Sequence, residues 1–128
     1  LKADRVPMMV TTNTERNVAD AAISALGWQY FVDTICGDEV PAGKPAPDMY
    51  REAARRIGAK PADCLVFEDS ANGMRAAVDA GCVVIGLPED DEVEVPPEVT
   101  EVSQLRNSRH LAGARASEVY EWFSKISE

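Results

Sequence analysis

Two short segments of unbroken apolar residues constrain the fold of this chain most strongly. Residues 64–67 and 82–87 lack the apolar–polar alternation of a strand with one solvated face. Apolar residues at helical spacing lie between them, over residues 71–80, and Gly81 follows as a helix stop. Because parallel strands need a long crossover connection, usually a helix, this order predicts a parallel sheet covered on both faces.

The same succession of strands and helices runs through the rest of the chain. We predict further strands at residues 6–11 and 31–36, and helices at residues 15–26, from about Pro47 to Ile57 and at residues 117–126. The acidic, proline-containing residues 89–102 predict a surface loop with room for a short turn or strand. The chain reads as one α/β domain over residues 1–128, and ligands of such folds gather at the C-terminal ends of the strands.

Charge and composition argue against two classes of partner. The chain has 22 acidic and 13 basic residues, a net charge of −9, and its basic residues are scattered, so we expect no nucleic acid partner. No apolar stretch approaches the ~20 residues that span a bilayer, so we expect no membrane partner and a cytoplasmic location. Cys36, Cys64 and Cys82 are expected to be buried thiols, and His110 a surface residue.

Two polar clusters lie where such a fold binds ligands. Thr12 and Asn13 follow the first strand; Thr12 either caps the next helix or, with the Asn13 backbone N–H, holds a phosphoryl group at the helix N-terminus. Lys44 lies in a loop stiffened by prolines, either as a solvated lysine or as a fixed ammonium beside a phosphate. An acidic chain that handles a phosphate ester needs local positive charge, which the second role of Lys44 would supply.

Glu68 and Asp69 form a third cluster, directly after the strand at residues 64–67. Asp69 or Ser70 is a candidate helix cap. Two adjacent carboxylates raise each other's cost of ionisation unless a cation lies between them. Carboxylate oxygens and a phosphate substrate favour magnesium, which takes only one or two protein carboxylates and keeps several waters. We therefore predict a Mg²⁺ site at Glu68 and Asp69.

In order and spacing, these clusters resemble the second, third and fourth motifs of the haloacid dehalogenase superfamily. The Glu-Asp-Ser form and the Lys-Pro-Ala-Pro-Asp stretch look most like the β-phosphoglucomutase and sugar-phosphate phosphatase branch. The resemblance covers about residues 6–88 and implies a three-layer, Rossmann-like core around a parallel sheet. The matching segments are Val10-Thr11-Thr12-Asn13, Gly43-Lys44-Pro45-Ala46-Pro47-Asp48 and Val66-Phe67-Glu68-Asp69-Ser70, with Asn72-Gly73 and Ala80-Gly81 after them.

The resemblance also implies a two-step reaction. An aspartate attacks the phosphorus and forms an aspartyl-phosphate, whose phosphoryl group is then transferred to water or to a second hydroxyl. Carried over by motif, Thr12 and Asn13 would bind the transferring phosphoryl group and Lys44 would steady it and the nucleophile. Glu68 and Asp69 would hold Mg²⁺. We expect a small phosphorylated metabolite, such as a sugar phosphate, as the substrate and hydrolysis as the reaction.

The family's first motif, Asp-x-Asp-x-Thr/Val, does not occur in this sequence, and Asp90-Asp91 lie after the last predicted core strand, which is the wrong place for it. In the family's sheet, the nucleophile strand lies between the strands that here end at Thr12 and Glu68, and the cap domain is inserted between the first two motifs. We therefore expect the C-terminal portion of a discontinuous core domain. Without the N-terminal central strand and cap, we expect this chain to be inactive and unstable as a monomer.

Three alternatives stay open. A phosphomutase of the β-phosphoglucomutase type would differ from a phosphatase in its acceptor, which the cap would set. A receiver-type signalling module also has a Thr after one strand and a Lys-Pro after another, but its acidic residues lie upstream of that Thr, whereas here Glu68 and Asp69 follow Lys44. The third is a non-catalytic binding descendant of the fold, against which the intact Thr, Lys and acidic pair argue.

Overall fold

The computed structural model describes residues 6–13 and 31–127. The helix predicted at residues 15–26 lies outside the described residues. Short 3-10 turns occur at Gly37–Glu39, Pro61–Asp63 and Val102–Gln104. The strands are Met9–Thr12 (β1), Asp33–Cys36 (β2), Leu65–Glu68 (β3), Val83–Gly86 (β4) and Thr100–Glu101 (β5), and the α-helices are Asp48–Ile57 (α1), Ala71–Ala80 (α2) and Ala116–Ile126 (α3).

Every strand pair among these elements is parallel, as the apolar strands and helical crossovers predict. Within the described residues the strands form two sheets, one with the order β1–β2 and one with the order β3–β4–β5. The division falls between the strands that end at Thr12 and Glu68. This is the position at which the resemblance places the strand of the family's first motif.

The second sheet is covered on both faces, which explains why β3 up to Phe67 and β4 are apolar. On one face, Val66 packs in a cluster with side chains of α1 and α2, including Tyr50. On the other face, Ile85 packs against Val119 and Trp122 of α3. Helices therefore lie on both sides of a parallel sheet, in the three-layer arrangement that was predicted.

Local signals set the ends of α2. The Ser70 hydroxyl accepts a hydrogen bond of 3.0 Å from the backbone N–H of Gly73 and so caps the first turn. Gly81 closes the helix with φ of +92°, a conformation that glycine adopts at little cost. The predicted bounds of this helix are confirmed. By contrast, α1 begins one residue later than predicted, because Pro47 occupies the cap position rather than the first helical position.

The structure confirms the expected exposure of His110 but only part of the expected burial of the cysteines. All three cysteines are free; Cys36 is buried, but Cys64 and Cys82, which directly precede β3 and β4, are only half-buried. His110 is exposed, as expected. In the part of the chain that the structure describes, no helix has both the length and the apolar character that crossing a membrane requires.

Candidate active site

The C-terminal ends of β1 and β3 face one open cavity of about 360 Å³. Parallel strands bring their C-terminal ends to the same edge of a sheet, so polar residues that follow different strands meet there. All five candidate residues from the sequence lie in its lining. The lining comprises Thr11, Thr12, Asn13, Lys44, Phe67, Glu68, Asp69 and Ser70.

Lys44 connects the ends of the two sheets. Its ammonium group donates a hydrogen bond of 3.1 Å to the backbone oxygen of Thr11 in β1. It also forms an ion pair of 2.5 Å with Oε1 of Glu68 at the end of β3. The side chain is only 11% exposed, so Lys44 is a fixed ammonium and not a solvated surface lysine. Since an ammonium carries three N–H donors and two are used among the described residues, the third can serve an anion in the cavity.

Asn13 holds the backbone of Lys44 with its side-chain amide. The Lys44 N–H donates to Oδ1 of Asn13 at 2.8 Å, and Nδ2 of Asn13 donates to the Lys44 carbonyl oxygen at 3.2 Å. Glycines make this approach possible: a Cβ at Gly43 would overlap Oδ1 of Asn13, and one at Gly37 would overlap its carbonyl oxygen. The sequence pointed only to the backbone N–H of Asn13 and missed this role of its side chain.

The two adjacent carboxylates have different surroundings. Glu68 is 7% exposed, and its Oε1 accepts hydrogen bonds from the Lys44 ammonium and the Tyr50 hydroxyl. Asp69 is exposed and, within the described residues, makes neither an ion pair nor a hydrogen bond through its side chain. Ser70, and not Asp69, caps α2. The cap role considered for Asp69 is therefore taken by its neighbour, and its carboxylate is available to a ligand.

Tyr50 is a site residue that sequence reasoning missed. Apolar residues at helical spacing in this segment indicate a core position for Tyr50, and its ring does pack in the core, but its hydroxyl reaches Glu68. Burial, reinforced by the Glu68 carboxylate, raises the pKa of the Tyr50 hydroxyl, which therefore stays protonated and donates. The available signal was general: a buried tyrosine hydroxyl usually finds a polar partner.

Comparison with known proteins places this site in a family. The family model of haloacid dehalogenase-like hydrolases matches residues 1–81. The chain belongs to this family. The haloacid dehalogenase assignment agrees with the resemblance of the three motifs, all of whose site residues lie inside the matched region.

Several curated relatives carry a phosphatase activity in their names. The chain is 44% identical over 90 residues to the bifunctional riboflavin kinase/FMN phosphatase of Arabidopsis thaliana, which is 69% of this chain and 24% of that protein. It is 41% identical over 78 residues to the fructose-1-phosphate phosphatase YqaB of Escherichia coli, which is 60% of this chain and 42% of that protein. The chain thus spans less than half the length of these curated relatives.

A solved structure confirms the haloacid dehalogenase fold. CbbY from Rhodobacter sphaeroides, determined in complex with phosphate, superposes with a TM-score of 0.75 at 30% identity. The match covers 88% of this chain and 52% of CbbY. The fold of this chain is therefore shared with a protein whose crystal structure contains bound phosphate.

Proposed function

We propose that the protein to which this chain belongs is a Mg²⁺-dependent phosphatase of a small phosphomonoester, such as a sugar phosphate. The observation that carries this proposal is the convergence of Thr12, Asn13, Lys44 and Asp69 in one cavity where β1 and β3 end. A phosphoryl group needs hydrogen-bond donors and positive charge around it. This cavity offers both in a chain whose net charge is −9.

In this proposal the residues of the chain bind and orient the phosphoryl group. The Thr12 hydroxyl and the Asn13 backbone N–H hold its oxygens. The Lys44 ammonium, fixed between the Thr11 carbonyl and Glu68, places positive charge beside them. Because these groups are held in place before a substrate arrives, little reorganisation is needed when negative charge shifts during phosphoryl transfer.

Glu68 and Asp69 are the proposed Mg²⁺ ligands, with Asp69 the principal one. Asp69 and Glu68 both line the cavity, and Asp69 is the exposed one of the two. Oε1 of Glu68 accepts from Lys44 and Tyr50 and Oε2 lies close to Gly73, so Asp69 has the more accessible carboxylate. Residues 6–13 and 31–127 contain no group of three or more His, Cys, Asp or Glu side chains around one point, but Mg²⁺ commonly takes one or two protein carboxylates. When bound, Mg²⁺ neutralises negative charge on the phosphoryl oxygens.

We further propose that residues 1–128 form the C-terminal portion of a discontinuous core domain. The nucleophilic aspartate and the cap would then come from an N-terminal segment of the protein outside this sequence. The separation of β1 from β3 within the described residues supports this arrangement, since the family's first-motif strand belongs between them. In this proposal the 128-residue chain alone releases no phosphate from a phosphate ester.

The decisive experiment is a phosphate-release assay of the full-length protein. Its panel includes fructose 1-phosphate and FMN, the phosphate esters named for the two curated relatives, together with other sugar phosphates. We expect release from at least one ester, its loss when EDTA is added and its return with excess Mg²⁺. Release that EDTA leaves unchanged would contradict the metal assignment. Isomerisation of a sugar phosphate without phosphate release would identify a phosphomutase, and inertness toward every ester would favour a binding or receiver-like module.

A further inference from the structure

Tyr50 makes contacts that neither its core position nor the proposed chemistry requires. It lies in α1 with 6% of its surface exposed, and its ring belongs to the cluster that packs α1 and α2 against the second sheet. A phenylalanine would fill the same space. The hydroxyl, however, points out of this cluster and donates to Oε1 of Glu68 at the edge of the cavity.

Lys44, Glu68 and Tyr50 form a closed cluster of three contacts. Oε1 of Glu68 accepts from both the Tyr50 hydroxyl and the Lys44 ammonium. The third side is a cation–π contact, because Nζ of Lys44 lies 5.2 Å from the centre of the Tyr50 ring. Each member therefore touches the other two, and Tyr50 is the member whose side chain also packs in the hydrophobic core.

This geometry adds restraint to Glu68 and to a lysine that the Thr11 carbonyl already holds on one side. A lysine side chain is a flexible stem, and an ion pair to one carboxylate oxygen does not by itself fix its direction. A hydroxyl that donates to an ionised carboxylate makes a strong, directional hydrogen bond. On Glu68 that bond falls on Oε1, the same oxygen that contacts Lys44, while Oε2 lies close to Gly73.

We infer that Tyr50 is a positioning residue, whose hydroxyl fixes the Glu68 carboxylate and, through it, the Lys44 ammonium in the orientation that the proposed phosphoryl-transfer site uses. The inference rests on the proposed function for its kinetic consequence. Its structural consequence, the orientation of Glu68 and Lys44, is independent of any activity.

The test compares Tyr50→Phe with Tyr120→Phe in the full-length protein. Tyr120 is a matched control because it lies in α3 and outside the cavity lining, with 39% of its surface exposed. Since hydrogen bonds to charged groups are among the stronger ones, we expect Tyr50→Phe to lower kcat about tenfold while KM for the phosphate ester stays within about twofold. The Mg²⁺ concentration for half-maximal activity should rise, and Tyr120→Phe should match the wild type in all three quantities.

Crystal structures of both variants complete the test. We expect Glu68 to rotate and its contact with Lys44 to be lost or displaced in Tyr50→Phe only. Unchanged kcat and Mg²⁺ requirement in Tyr50→Phe overturn the inference, as does failure of this variant alone to fold, which would assign the hydroxyl to the fold instead. If the wild type hydrolyses no ester, the proposed function fails. The crystal structure of Tyr50→Phe then tests the positioning role by itself. An unmoved Lys44–Glu68 pair overturns that role, and a displaced pair supports it.

Discussion

The side-chain amide of Asn13 and the backbone of Lys44 form a closed pair of hydrogen bonds, 2.8 Å and 3.2 Å long. The two residues are 31 positions apart in the sequence, and each belongs to a different loop at the cavity. Because the amide both accepts from and donates to the same residue, it fixes the direction of the Lys44 loop as well as its distance. The proposed phosphoryl-binding segment and the lysine are thereby held as one unit.

Replacing Asn13 by alanine tests this relationship. The substitution keeps the backbone N–H proposed to bind phosphate but removes both hydrogen bonds to Lys44, so we expect kcat/KM of the full-length protein to fall about tenfold. Asn107→Ala, at an exposed position outside the cavity lining, is the control and should leave kcat/KM unchanged. Steady-state kinetics that do not distinguish the two variants would refute the role of the Asn13 amide.

Replacing Gly73 by alanine tests the buried position of the Glu68 carboxylate. A Cβ at Gly73 would overlap the Glu68 carboxylate. Alanine in place of glycine inside a helix normally stabilises by about 1 kcal/mol, but here the overlap should reverse the sign and cost about 1–3 kcal/mol of unfolding free energy. Urea denaturation measures the difference, and Asn72→Ala, an exposed position of the same helix, should change it by less than about 0.5 kcal/mol. A more stable Gly73→Ala protein would show that the carboxylate lies elsewhere.

Cys82 gives the protein a specific dependence on alkaline pH. Burial, with a smaller effect of the neighbouring Cys64, raises the pKa of the Cys82 thiol from 9.0 to about 11. The folded state therefore holds this proton more tightly than the unfolded state, so the stabilisation is complete below pH 9.0 and is lost as the pH rises through about 11. The melting temperature of the wild type should accordingly fall relative to that of Cys82→Ser across this interval. A constant difference between the two proteins would contradict the raised pKa.

Much of the fold could be predicted because its signals are local. Unbroken apolar runs indicated strands buried on both faces, and Ser70 and Gly81 marked the ends of α2 correctly. The strand bounds were predicted only approximately: the apolar run at residues 82–87 became Val83–Gly86, and the run at residues 64–67 became Leu65–Glu68. Hydrophobicity reports burial, whereas the bounds of a strand depend on which residues find backbone partners, and the sequence does not state that pairing.

The clustering of the candidate residues was predictable to the same extent. Thr12, Lys44 and Asp69 line one cavity because parallel strands end at one edge, a general rule that applies without knowledge of side-chain positions. The hydroxyl of Tyr50 could not be assigned to Glu68, since that contact spans 18 residues and depends on how α1 packs against the sheet. Tertiary packing, which has no local signature, decided this contact.

Asp69 offers the most direct test of the proposed Mg²⁺-dependent phosphatase. Phosphate release by the full-length protein at saturating Mg²⁺ should be compared between Asp69→Asn and Asp63→Asn, an exposed position outside the cavity lining. Asparagine keeps the shape of the side chain and removes its charge, so we expect kcat to fall about a hundredfold in Asp69→Asn and to remain at the wild-type value in Asp63→Asn. If Asp69→Asn released phosphate at the wild-type rate with an unchanged Mg²⁺ requirement, this result would contradict the proposed Mg²⁺-dependent phosphatase activity.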